Sequence, residues 1–206
     1  MKIIELYGYS TSGKSYKAQK IGKDKKLNNF FLEISKKKRL IRLIIKIFFF
    51  YNIKFHDLVF VFKVHKNFKF KSTYYKLKNF FSYIYVISFI RYYKKNNQSI
   101  IIDHGLFQCL FSCFIQSSNK KYNNSIIGKL FKDYLPNLFK NLDYNIIAME
   151  TNLNIVKKRL SEEKNYKKLI FVKENKKKIL DTYYIISFIL KKTINNKLVN
   201  FSKIKT

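Results

Sequence analysis

The chain has 206 residues, a length that suits one domain, and 47% of them are hydrophobic, which is enough to build a core and too many for a disordered chain. Lys and Arg number 43 against 12 Asp and Glu, a formal net charge of +31. A charge of that size suggests a polyanionic partner. However, the lysines are spread along the chain among Asn, Ile, Phe and Tyr, residues of AT-rich codons, so compositional bias accounts for them better than a nucleic-acid function does.

Taken in chain order, Lys2 to Tyr7 reads as a strand running into a glycine-containing turn, and Lys14 to Lys23 as the helix behind it. Helical spacing over Asn28 to Phe50 and Thr73 to Lys95 fills a long first crossover, with Phe55 to Val64 as an additional strand inside it. The apolar stretches Leu40 to Tyr51 and Phe80 to Ile90 fall short of the about 20 residues a membrane span needs, and the first carries Arg42 and Lys46. Ser99 to Asp103 is a short apolar strand ending in an acid, and Leu106 to Gln116 is a helix. Cys109 and Cys113 share one face of that helix and read as buried free thiols. His56, His65 and His104 are scattered and form no metal-ligand spacing.

Asn119 to Ser125 is loop-like, and the helix Ile126 to Leu142 holds the single proline, Pro136, which interrupts it. Tyr144 to Met149 is a third strand, Asn152 to Glu163 and Glu174 to Asn195 are helices, and Leu198 to Phe201 is a fourth, weaker strand. Apolar strands alternating with helices predict an α/β fold, a three-layer αβα sandwich on a mostly parallel sheet. No signal peptide precedes the first strand, so a cytoplasmic location is expected.

Gly8-Tyr9-Ser10-Thr11-Ser12-Gly13-Lys14-Ser15 fits G-x-x-x-x-G-K-[ST], the phosphate-binding loop of P-loop NTPases. Small residues let consecutive backbone N–H groups point at a phosphate, and the helix N-terminus behind adds partial positive charge. Lys14 is expected on the β- and γ-phosphates of ATP, and Ser15 on Mg²⁺. Tyr16 completes the expected nucleotide-contacting set. Asp103, ending the Ser99-Ile100-Ile101-Ile102 strand, stands where a Walker B carboxylate belongs. It can hold Mg²⁺ through water or orient an acceptor, or it can simply cap the following helix. Arg159 lies in the basic run Asn152 to Leu160 after the third strand, which is either a solvated helix face or the base of a lid over the phosphates.

GYSTSGKS, IIIDHGLFQ and the NLNIVKKRL segment together resemble the thymidylate kinase-like group of P-loop kinases, which act on nucleosides and nucleotides. The resemblance implies a kinase with a helical insertion at about 27–96, a lid at about 160–173, and catalytic Lys14, Asp103 and Arg159. It implies ATP and Mg²⁺ as cofactors and a small-molecule acceptor. Two features depart from the group's pattern. Asp103 is followed by His104 where Arg is usual, and Glu162, Glu163 and Lys164 stand where a second lid arginine is expected. The GTPase N-K-x-D is missing, since Tyr122 follows Asn119-Lys120-Lys121, and so is a transporter signature. The other reading is a polyanion-binding ATPase using the basic and aromatic run HKNFKFKSTYYKLKNFF.

Overall fold

The computed structural model describes residues 1–9, 12–25, 27, 34, 37–118, 123–150, 152–162, 164, 166–194 and 199–205. Strand β1, Lys2–Gly8, pairs in parallel with β2, Ile100–Ile102, on one side and with β3, Asp143–Glu150, on the other. Strand β4, Val199–Lys205, adds in parallel to β3, giving a four-stranded sheet in the order β2-β1-β3-β4. The β1–β3 register runs from Lys2 opposite Asp143 to Gly8 opposite Met149, so the two strands end at the same edge of the sheet.

Alternation along β1 divides the core. Ile4 and Leu6 pack with Ala18, Ile101 and Met149 beneath helix α1, Lys14–Asp24. Ile3 and Tyr7 face the other way, into a larger core with Tyr144 and Ile146. Helices α4 (Thr73–Lys95), α5 (Leu106–Gln116), α6 (Asn124–Phe139) and α9 (Lys176–Ile194) contribute to this second layer. Because both faces of β1 are covered, Ile3 to Tyr7 reads as an apolar run broken only by Glu5. This is the three-layer αβα arrangement expected from the sequence. Cys109 and Cys113 are buried free thiols in α5. Among the described residues no helix is long and apolar enough to cross a membrane.

Three expectations are corrected and one helix is added. Phe55 to Val64 is not a strand but part of helix α3, Phe55–Lys66, which follows helix α2, Arg39–Phe50. Asp57 decides this: its carboxylate accepts from Lys54 N at 2.8 Å across the first turn, an N-terminal cap that a strand cannot use. The same carboxylate takes two 2.6 Å bonds from Arg91 of α4 and one of 2.7 Å from Tyr134 of α6, so the acid that starts α3 also pins it down. The helix expected over Glu174 to Asn195 is α9, and a helix not foreseen, α8 (Tyr166–Glu174), precedes it and meets it at Asn175, whose side chain donates to Phe171 O at 3.0 Å. Pro136 sits inside α6 without ending it. The fourth strand is longer than expected. Asn119 to Tyr122, Asn195 to Leu198 and most of 28–36 lie outside the described residues.

Candidate functional site

Gly8 closes β1 and Gly13 opens α1. Gly8 has φ +156°, and a Cβ there would stand 2.7 Å from Met149 O and 2.8 Å from the Tyr183 hydroxyl. Gly13 has φ +84°, in the left-handed region that a β-carbon disfavours. Both glycines of the loop motif are therefore required by geometry. Ser10 and Thr11 lie outside the described residues, while Ser12 is buried and its N–H donates to Tyr9 O at 3.2 Å.

Lys14 folds back over the loop, its Nζ donating to Gly8 O and Tyr9 O, each at 2.8 Å. Burial pushes its pKa down to about 8, against the opposing pull of the Asp103 charge. Ser15 Oγ donates to Asp103 Oδ2 at 2.6 Å, which joins the two residues expected at a metal. Burial raises the Asp103 pKa, but hydrogen bonds from His104 and Ser15 and the charges of His104 and Lys14 outweigh it and hold the carboxyl below its ordinary value. Asp103 is thus an ionised, nearly buried carboxylate beside a hydroxyl, a pair of hard oxygen donors that suits Mg²⁺.

Arg159 lies on helix α7, Leu153–Glu162, which begins just beyond the end of β3. Its Nη1 is 3.6 Å from where a Cβ of Gly13 would stand, so the guanidinium reaches the phosphate loop. Tyr16 is exposed at the loop's rim. A cavity of about 870 Å³ opens from the loop. Tyr9, Lys14, Ser15 and Arg159 line it at one side, and α5, the start of α4, and α8 complete the wall.

Three residues that hold this site were not singled out from the sequence. Gln108 Oε1 accepts from Gly8 N at 2.9 Å, and the Tyr183 hydroxyl accepts from Tyr9 N at 2.7 Å while donating to Met149 O at 2.9 Å. The first two amides of the loop are thereby fixed from behind. Glu5 is fully buried; one of its oxygens accepts from Phe107 N at 2.7 Å and Gln108 N at 3.0 Å, and the other from the Tyr144 hydroxyl. It caps α5 from below and anchors the turn that carries Asp103. Gly105 permits this, since a Cβ there would stand 2.2 Å from the Glu5 carboxyl carbon. An acid in the middle of an apolar strand was the one available signal for Glu5. Gln108 and Tyr183 come from distant parts of the chain and left none.

No family model and no curated protein sequence matches this chain. Among solved structures, a deoxyadenosine kinase from M. mycoides with bound dCTP is similar to it at 15% identity and a TM-score of 0.48, over 100% of this chain and 90% of that one. The same enzyme with bound dATP is similar at 16% identity and a TM-score of 0.47, over 100% of this chain and 91% of the other. At that level of likeness, the residues of the site carry the functional reading.

Proposed function

We propose that the chain is an ATP-dependent kinase that transfers the γ-phosphoryl group of ATP to a small molecule held in the cavity, with nucleosides and nucleotides as the first candidates. The observation that carries this reading is the contact between Ser15 and Asp103 beside a buried Lys14, at the mouth of a cavity of about 870 Å³. A cavity of that size is ample for a phosphate tail together with an acceptor. Tyr9 to Tyr16 wrap the phosphates, and Lys14 leaves its carbonyl partners for the β- and γ-oxygens. Ser15 and Asp103 would hold Mg²⁺, which when bound neutralises charge on those phosphates. Arg159 meets the phosphoryl group in flight, and α8 with the end of α7, in the region 160–173, serves as the lid. The helices between about 27 and 96 form the acceptor side of the cavity. Positioning and charge neutralisation are most of what phosphoryl transfer asks of a protein.

The test is transfer of label from γ-labelled ATP to a panel of nucleosides, nucleotides and sugars. Turnover is expected with at least one acceptor, with Asp103→Asn slowing it by about 10²-fold or more and leaving thermal stability nearly unchanged. An Asp103→Asn enzyme that turns over normally but is less stable would reduce Asp103 to a helix cap.

A further inference from the structure

One face of α5 forms a wall of the cavity: Gln108, Phe111, Ser112, Ile115 and Gln116 recur at helical spacing and all line it. From Gln108, bonded to Gly8 at the phosphate loop, to Gln116 the helix rises about 12 Å at 1.5 Å per residue. Gln116 therefore stands at the end of the cavity away from the reacting phosphate.

The carboxamide of Gln116 is held in one orientation. The buried Asn79 of α4 donates its amide nitrogen to Tyr75 O at 3.0 Å, a bond that only the nitrogen end of the side chain can make. The same nitrogen meets the Gln116 side chain at 2.7 Å, so the atom it meets must be the Gln116 oxygen. The backbone is fixed as well, since Gln116 O accepts from Lys71 N at 3.1 Å and Phe70 bridges to Ser117. Gln116 lines the cavity and Asn79 does not. The oxygen is thus tied to a residue outside the cavity, and the end left for a ligand is the NH₂ group, which only donates. Among the described residues no hydrogen bond uses that nitrogen.

The neighbouring walls do not reverse this polarity. Lys71 and Lys78 bring cations, and no Asp or Glu is among the described residues that line the cavity. A ligand group beside Gln116 must therefore accept hydrogen bonds. A donor placed there would set N–H against N–H, and leaving a polar group unmet costs more than a good bond gains. Tyr75, Phe111 and Phe171 add aromatic walls that suit a flat ring.

We propose that Gln116 sets acceptor specificity, selecting a ring whose far edge carries a carbonyl oxygen over the same ring carrying an amino group there. This rests on the reading of the cavity as the acceptor site of a nucleoside or nucleotide kinase. It favours oxo bases such as hypoxanthine and uracil over adenine and cytosine.

Calorimetry on the full chain, with Mg²⁺ and a non-hydrolysable ATP analogue present, compares ligands that differ at that edge: inosine with adenosine, and uridine with cytidine, each also as the 2′-deoxy form. The oxo member of at least one pair is expected to bind about tenfold tighter or more. Gln116→Glu keeps the shape and the bond from Asn79 but replaces the donor by an acceptor, so it should turn the preference toward the amino member. Gln116→Met should bring the ratio within about threefold of one. A residue that merely supports α5 would weaken both members alike. The wild-type ratio needs no variant, so a poorly folding one does not block the test. Tighter amino members, equal binding within every pair, no binding of any ligand, or a ratio unchanged in both variants would overturn the proposal. An oxo preference without any phosphoryl transfer would instead overturn the kinase reading and leave the role of Gln116 standing. Transfer without an oxo preference would do the reverse.

Discussion

Glu5 and Asp103 show how position on the sheet drives two carboxylates in opposite directions. Asp103 stands at the strand end, where Ser15 and His104 keep it ionised. Glu5 lies inside the layer, where burial lifts its pKa from 4.5 to about 7 against the bonds from Tyr144, Gln108 and Phe107. A carboxyl whose folded pKa exceeds its unfolded one binds protons more tightly when folded. Its stabilising contribution is therefore complete below about pH 4.5 and is lost as pH rises through about 7, amounting to about 3 kcal/mol over that window. His65 carries the opposite sign, since burial lowers its pKa from 6.5 to about 4. Chemical denaturation of wild type and Glu5→Gln across that pH range isolates Glu5, because His65 cancels in the difference. The wild-type advantage should shrink with rising pH; a difference that does not vary with pH would contradict this account of Glu5. At this scale the loop motif, with the acid at the strand end, singled out Lys14, Ser15 and Asp103, which the structure brings together, because such a motif fixes residue types at fixed spacing. Gln108 and Tyr183 stayed hidden because any polar side chain of suitable reach can satisfy a backbone amide.

Helices α7 and α8 are the elements in which the sequence left two readings open, a solvated basic face or a lid. The approach of Arg159 to Gly13 favours the lid, because it brings the guanidinium to the loop rather than out to solvent. A cation that engages the phosphoryl group mainly during transfer contributes to turnover more than to ground-state binding. Arg159→Ala is expected to lower kcat by about 10²-fold while changing ATP affinity little, as read from steady-state kinetics beside calorimetry. Unchanged kcat would return the helix to the solvated reading. Elements also show where periodicity misleads. The run from Phe55 to Val64 is dense in Phe and Val and mimics a strand, yet Asp57 three residues beyond Lys54 was a local sign of a helix start. Thr73–Lys95 and Leu106–Gln116 were legible to the residue, since each is long, apolar on its core face, and bounded by polar or glycine residues. Helix α8 was not foreseen; it ends where the Asn175 side chain turns back to the Phe171 carbonyl, and α9 starts there close to the expected Glu174.

On the scale of the whole molecule, the +31 charge is the feature that most invites a nucleic-acid reading. The segment HKNFKFKSTYYKLKNFF would need its aromatic faces open for bases to stack on them. Phe68 and His65 are buried instead, and Phe80 is partly so, leaving Tyr74 and Phe81 as its exposed rings. The segment builds the wall of a cavity more than a stacking platform. Of that charge, Lys14 and Arg159 are brought to the loop at one side of the cavity. The claim on which the rest depends is that the loop from Gly8 to Ser15 binds a nucleoside triphosphate. Calorimetry of ATP with Mg²⁺ against wild type and Lys14→Ala tests it most directly. Removing a buried charged donor to a phosphate is worth about 1.5–3 kcal/mol, so Lys14→Ala should weaken ATP binding by about tenfold to a hundredfold or abolish it. Equal affinity in the two proteins, or no binding of ATP by wild type, would contradict the account.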